Sequence, residues 1–165
     1  MKKSKKIKIK PLTKRNFAPF GDLIRASGKP DMIINDGRCG RFNDLAKLEF
    51  LGDDARPALS IFRSKACCPP FKLELMERHP LGSQSFIPLG PDPFIVIVAP
   101  DDGGVPGPPE AFMTKSMQGV NYHANAWHGV LTALVHDAEF LVVDRLGPGR
   151  NLQEHMFEEP FIISI

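Results

Sequence analysis

The chain has 165 residues, of which 42% are hydrophobic and 24% are charged, and its formal net charge is +2. This length and composition are typical of one soluble domain with a single core, and so small a charge gives no electrostatic case for binding nucleic acid. No apolar run approaches the length of a membrane span, and the basic start lacks the apolar core of a signal peptide. We therefore expect one domain over residues 1–165, with no membrane or nucleic-acid partner.

Lysines cluster in the first ten residues, M-K-K-S-K-K-I-K-I-K. This pattern predicts a frayed, solvated end that becomes an edge strand, because lysines protect an exposed sheet edge from pairing. A contact with a polyanion is the alternative for so basic a segment.

Sixteen prolines and fourteen glycines separate short apolar runs along the rest of the chain, which is typical of an all-β protein. Thr13 is a candidate N-cap for one short helix over residues 14–18. Residues 100–109, P-D-D-G-G-V-P-G-P-P, predict an exposed loop without regular structure. The predicted strands span residues 22–25, 32–35, 41–48, 57–63, 71–76, 84–89, 94–99, 111–114, 118–122, 130–135, 140–144 and 151–157.

Residues 71–76 alternate, so their odd-numbered apolar positions are predicted to face the core. The same parity carries Glu77 and His79 to that face. Buried groups of this kind need hydrogen bonds, a metal or a polar pocket, because burial without partners is costly. The alternative is that Glu77 leaves the strand before Pro80 and lies in solvent.

The three cysteines, Cys39, Cys67 and Cys68, show no Cys-x-x-Cys or zinc-type spacing. Without a secretory signal they indicate reduced thiols and a cytoplasmic location.

A second polar cluster, N-Y-H-A-N-A-W-H, carries His123 and His128 five residues apart. A distant histidine added to Glu77 and His79 is typical of an oxygen- and nitrogen-ligated metal site. It is equally typical of general acid–base catalysis, and both interpretations stay open.

The order of these residues resembles the cupin double-stranded β-helix. Residues 77–90 stand where the first cupin motif has its ligands, and residues 123–128 stand where the second motif ends in a ligand histidine. The resemblance implies an all-β, cupin-like jelly-roll barrel with one or two short helices. The side chains it implies as metal ligands, if a metal is present, are Glu77, His79, Gln84 and His128.

Two longer strings, E-R-H-P-L-G-S-Q-S-F-I-P-L at residues 77–89 and G-V-N-Y-H-A-N-A-W-H at residues 119–128, resemble the ureidoglycolate lyase family. I-N-D-G and F-N-D-L-A upstream extend the similarity, which runs from about Pro11 to Asp144. The resemblance implies an enzyme of allantoin breakdown, a homodimer, that releases urea and glyoxylate from ureidoglycolate. It also implies a divalent metal, which is nickel in some members.

The chain departs from the family at two positions. Asn43 stands where the family usually has histidine, and Gly129 follows His128 where the family usually has a second histidine. If position 43 contributes to the site, substrate choice or turnover would differ in this chain.

Elimination of urea needs a base at the hydroxyl, an acid for the departing nitrogen and a cation for the carboxylate. We expect His79 to be the base or a metal ligand, and Glu77 to orient His79 or protonate the nitrogen. His128 and Tyr122 are further candidates for acid and donor. The residues expected to bind substrate are Ser83, Gln84, His123, Arg63 and its rival Arg41.

Arg63 is favoured for the carboxylate because a guanidinium grips a carboxylate with two hydrogen bonds. Its parity with Leu59 and Ile61 predicts that it continues an apolar, core-facing row. Two alternatives to the lyase remain: another metal-dependent cupin enzyme acting on a small organic acid, and a non-catalytic module that binds small acids.

Overall fold

The computed structural model describes residues 5–165. Its helix, α1 (Lys14–Phe17), begins as predicted after Thr13. The Thr13 hydroxyl accepts a hydrogen bond from the Asn16 backbone N–H at 3.2 Å, and the Asn16 side chain accepts one from the Thr13 backbone N–H at 2.8 Å. This reciprocal capping box satisfies two N–H groups that a helix start leaves free. Within the described residues, no helix is long and apolar enough to cross a membrane.

Sixteen strands lie within residues 5–165. They are β1 (Lys6–Pro11), β2 (Gly21–Ile24), β3 (Met32–Ile34), β4 (Cys39–Arg41), β5 (Arg56–Ser64), β6 (Phe71–Arg78), β7 (Gln84–Pro88), β8 (Phe94–Ala99), β9 (Asp101–Asp102), β10 (Val105–Pro106), β11 (Glu110–Met113), β12 (Gly119–Tyr122), β13 (Trp127–His128), β14 (Thr132–Ala133), β15 (Ala138–Leu146) and β16 (Gln153–Ser164).

Six of these strands form a closed ring in the order β8, β11, β1, β16, β6, β13 and back to β8. Every strand of the ring contributes apolar side chains to one cluster, so this cluster fills the interior of the ring. Its members include Ile7, Ile9, Leu73, Met76, Ile95, Ile97, Ala111, Trp127 and Ile163.

A five-stranded sheet, ordered β2-β12-β7-β15-β5, packs against the outer face of the ring. The second apolar cluster lies between the two layers, and β8 joins both clusters because its alternate residues face opposite ways. Residues 94–99 are buried throughout for that reason, as an apolar run on both parities indicates. The expected fold class, an all-β cupin-like barrel with a short helix, is confirmed.

The prediction that the start of the chain forms an edge strand is wrong for residues 5–10, the part of it that the structure describes. β1 is one of the six strands of the ring, and it pairs in parallel with β11 and with β16. Its isoleucines, Ile7 and Ile9, pack into the ring interior while the lysines between them face outward. Residues 1–4 lie outside the described residues.

Four other predicted segments differ from the structure. The predicted strand over residues 41–48 ends at Arg41, because the next backbone groups bond to side chains such as the Asp31 carboxylate, which accepts from the Asn43 N–H at 2.8 Å. Residues 100–109 contain the small β9–β10 hairpin, which Gly103 and Gly104 close with positive φ angles. The strand predicted over residues 130–135 shrinks to β14, and the last strand extends to residue 164.

Candidate active site

Glu77 and His79 lie between the two layers, but not for the reason that simple alternation gives. Leu73 and Met76 both face the ring interior although they are three residues apart, so the alternation changes phase between them. The pairing of β6 with β16 is irregular at this point. Leu73 and Leu75 are two residues apart on β6, but their partners on β16 are five residues apart. With Met76 turned into the ring, Glu77 is turned outward toward the five-stranded sheet.

The structure brings Glu77, His79 and His128 together. One ligand atom from each side chain lies within 4.8 Å of the others, and we call this group the triad. His128 reaches it on β13, which is two residues long and lies between β6 and β8. The register places His128 directly opposite Glu77 on one side and Val98 on the other.

Both histidines of the triad have a defined tautomer. His79 Nδ1 lies 2.7 Å from the Asn151 carbonyl oxygen, and His128 Nδ1 lies 3.0 Å from the Gly129 carbonyl oxygen. A carbonyl oxygen can only accept, so each Nδ1 carries a proton and each neutral ring keeps its lone pair on Nε2. Both Nε2 atoms are buried and have no hydrogen-bond partner among the described residues. The two nitrogens are therefore available to a proton or a metal.

The surroundings push the two other ionisable groups of the triad toward their neutral forms. Burial, with the nearby His79 charge, lowers the pKa of His128 to about 3. Burial raises the pKa of Glu77, and the Glu154 carboxylate adds to this effect while His79 opposes it. Glu154 pairs directly across from Glu77 on β16, so the two carboxylates share one face. Glu77 is therefore suited to hold and donate a proton, and His128 remains neutral.

Tyr122 and Gln84 complete the inner wall on the five-stranded sheet. The Tyr122 ring stacks on His128 with centroids 4.3 Å apart and planes 9° apart. Burial, together with the Glu77 charge, raises the pKa of Tyr122, so its hydroxyl stays protonated. Gln84 lies directly across from Tyr122 in the register, and its Oε1 atom is buried with no partner among residues 5–165.

Ser83 and His123 were expected to bind substrate, but the structure places their polar atoms in another network. The Ser83 hydroxyl accepts from the Glu49 backbone N–H at 2.8 Å. His123 Nε2 lies 3.0 Å from the Asp22 carboxylate. Burial alone would raise the pKa of Asp22, but hydrogen bonds from Lys47, Asn121 and His123 lower it.

The two arginines expected to receive the carboxylate are exposed, and the structure shows no contact between either of them and the triad. Arg63 forms an exposed ion pair with Glu139 at 2.7 Å, and Arg41 is exposed on the β3–β4 hairpin. The inference that Leu59 and Ile61 face the core is wrong, since they are 74% and 54% exposed. The cross-strand partner of Phe62 is the buried Phe140, so the even-numbered residues of β5 face inward.

Position 43 also lies apart from the triad. Asn43 lines a separate cavity of about 670 Å³ between α1 and the loops that follow β2 and β4. None of Glu77, His79 and His128 lines that cavity. The family difference at this position therefore does not alter the triad directly.

Sequence reasoning missed the groups that orient the triad. The carbonyls of Asn151 and Gly129 leave no mark in a sequence, because every residue has a carbonyl. The position of Asp144 could have been predicted, because alternation from Phe140 and Val142 puts its carboxylate on the inner face of the sheet. There the carboxylate accepts a hydrogen bond from Gln84 at 3.4 Å.

Comparison with known proteins gives a consistent result over most of the chain. A family model described as "Ureidoglycolate lyase" matches residues 4–164. The ureidoglycolate lyase of Chelativorans sp. is 52% identical over 161 residues, which is 98% of this chain and 98% of that protein. The ureidoglycolate lyase 2 of Rhizobium meliloti is 50% identical over 153 residues, covering 93% and 94%. A Rhodobacter capsulatus ureidoglycolate lyase is 49% identical over 158 residues, covering 96% and 98%.

Proposed function

This chain belongs to the ureidoglycolate lyase family, and we propose that it converts ureidoglycolate to glyoxylate and urea, in allantoin breakdown, by acid–base elimination at the triad. The main support for this mechanism is that the side chains of Glu77, His79 and His128 converge. The Nε2 atoms of both histidines are buried and have no hydrogen-bond partner within residues 5–165. Such pre-positioned groups are what an elimination without a covalent intermediate requires.

His79 is the base. Its Nδ1 proton is held by the Asn151 carbonyl, so the Nε2 lone pair is the one that takes the hydroxyl proton of the substrate. The electron pair of the O–H bond then forms the aldehyde C=O, and the C–N bond breaks. A well-placed base of this kind contributes about 10²–10⁴ in rate.

Glu77 is the acid. Burial raises the pKa of its carboxyl group, which favours the protonated form that can donate to the departing urea nitrogen. His79 then returns its proton to Glu77 through one bridging water, because their reactive atoms lie within 4.8 Å of each other and a direct transfer needs a shorter hydrogen bond. Tyr122, whose hydroxyl stays protonated, is a hydrogen-bond donor for the substrate carboxylate.

A divalent cation is the alternative use of the same three groups, in which His79 and Glu77 would be metal ligands rather than base and acid. Two imidazole Nε2 atoms and a carboxylate are a donor set that suits divalent metals such as nickel or zinc. When bound, the cation would supply positive charge to acidify the hydroxyl and attract the carboxylate. Gln84 as a fourth ligand stays a prediction of this metal-bound alternative alone, because it would use the oxygen that is otherwise free to accept a hydrogen bond.

The test is to incubate the purified protein with ureidoglycolate and measure urea and ammonia, with and without a chelator. Urea in a 1:1 ratio with glyoxylate supports the lyase, whereas ammonia in place of urea indicates a hydrolase and contradicts it. Loss of activity with chelator, restored by one divalent metal, supports metal assistance. Unchanged activity assigns the reaction to the side chains alone.

The alternatives to the lyase are not favoured, because relatives about half identical to this chain carry the lyase name over nearly their whole length. Homodimers and a cytoplasmic location remain part of the proposal. Free thiols at Cys39, Cys67 and Cys68 agree with a reducing compartment. The exposed side chains of Leu59 and Ile61 on the last strand of the five-stranded sheet offer a surface for a second copy.

A further inference from the structure

Gln84 is at the centre of the inner face of the five-stranded sheet. Tyr122 lies across from it on β12, and continuing the β15–β7 register by one residue places Asp144 across from it on the other side. Only 8% of Gln84 is exposed, although both ends of its amide are polar. A buried amide in a wall between layers needs partners for both ends.

The carboxylate of Asp144 decides which way this amide points. Gln84 Nε2 lies 3.4 Å from Asp144 Oδ2, and an ionised carboxylate can only accept hydrogen bonds. The amide nitrogen therefore faces Asp144 and the carbonyl oxygen faces away. That oxygen, Oε1, is buried without a donor among the described residues. The Gln84–Asp144 pair therefore leaves one hydrogen-bond acceptor, Gln84 Oε1, without a donor.

The substrate has few groups that can donate a hydrogen bond to this oxygen. The carboxylate of ureidoglycolate only accepts, and its hydroxyl proton goes to the base His79 in the mechanism above. The remaining donors are the N–H groups of the ureido substituent. Urea, the product, keeps those N–H groups, whereas glyoxylate has none of them.

We infer that Gln84 and Asp144 form the receptor for the ureido group, in which Gln84 Oε1 accepts a ureido N–H and Asp144 is the positioning residue that fixes the amide. This inference rests on the proposed function, because it names how the same site recognises its leaving group. A site built to pair with a substrate N–H discriminates against an analogue that lacks it, since its own buried acceptor is then left unpaired.

Product inhibition separates this role from a structural one. Inhibition constants for urea and for glyoxylate are measured against ureidoglycolate in the wild type, Gln84→Met and Asp144→Asn. Methionine keeps the length of glutamine without an acceptor oxygen. Asparagine keeps the shape of aspartate but can also donate, so it no longer forces the orientation of the amide. Glu139→Gln is the matched control, because Glu139 is on the same strand but pairs with Arg63 on the exposed face.

We expect Gln84→Met to weaken urea inhibition by about tenfold or more and Asp144→Asn by a smaller factor, both with little change for glyoxylate. The control is expected to match the wild type for both products. Equal losses for urea and glyoxylate, or unchanged urea inhibition in Gln84→Met, would overturn the inference. A wild type that is not inhibited by urea would also overturn it. A wild type that releases no urea refutes the proposed function instead, so the two failures are distinguishable.

Discussion

His128 is the residue whose charge is most tightly set by its surroundings. It is 1% exposed, stacked against Tyr122 and turned by the Gly129 carbonyl so that Nε2 faces the triad. The consequence is a pKa of about 3, far below the ordinary value for histidine. A neutral His128 is what the proposed site needs, because a second positive charge beside His79 would hinder proton uptake by the base.

This shift makes a prediction about stability. An unfolded chain protonates His128 near pH 6.5, whereas the folded chain resists until about pH 3. Between these values the unfolded state binds more protons, so this group lowers the free energy of unfolding as pH falls, by about 1 kcal/mol per pH unit. Glu77 has a raised pKa and acts in the opposite direction, so the two must be separated by a variant.

The measurement is denaturant unfolding between pH 6.5 and pH 4, in chelator, for the wild type and His128→Gln. The variant is expected to show a shallower loss of stability with acid, because glutamine does not titrate. Parallel pH profiles for the two proteins would contradict the buried neutral state of His128.

The strand that carries His128, β13, is only two residues long. Side-chain contacts hold it in place in addition to its backbone hydrogen bonds. Asp101, on the β9–β10 hairpin, accepts from Trp127 Nε1 at 2.9 Å and from Arg78 Nη1 at 2.7 Å. The Arg78 guanidinium also lies over the Trp127 ring at 4.4 Å. Trp127 precedes His128, and Arg78 lies between Glu77 and His79. One carboxylate therefore ties together both strands that carry the triad.

Asp101→Ala is expected to lower kcat by roughly 10- to 100-fold with a smaller change in KM, because the triad loses its alignment while the substrate contacts remain. Glu139→Ala, which removes an exposed ion pair of the same length with Arg63, is the control and is expected to keep kcat. Equal kcat values in the two variants would show that the hairpin does not position the triad.

The strand β6 shows that Glu77 and His79 lie inside the protein as predicted, but that the alternation from which this was predicted is interrupted. Short-range patterns predicted the capped helix and most strands, because hydrophobic alternation and turn residues act locally. They did not predict the phase change between Leu73 and Met76, which depends on how β16 pairs with β6. The same limit placed Arg63 inside, since alternation gives two faces but does not say which one is covered. Pairings such as β1 with β11 are set by distant contacts.

For the whole molecule, the five-stranded sheet ends at β5, whose outer face is apolar and exposed at Leu59 and Ile61. An exposed apolar face of this kind is a surface that a second copy of the chain can cover. The proposed homodimer would cover it.

Ile61→Lys is therefore expected to shift the protein from dimer to monomer in sedimentation velocity, because a charge would be buried in the interface. Met117→Lys is the matched control, since Met117 is similarly exposed at 55% but lies in the loop between β11 and β12. A wild type that sediments as a monomer, or a dimer that tolerates Ile61→Lys, would contradict this interface.

If the triad performs the elimination, removing its base in His79→Ala must abolish most of the activity. The measurement is kcat/KM for urea release from ureidoglycolate, with circular dichroism to verify folding and His136→Ala as a histidine control outside the triad. We expect a loss of at least about 10²-fold for His79→Ala and wild-type activity for the control. Near-full activity in a folded His79→Ala protein would contradict it.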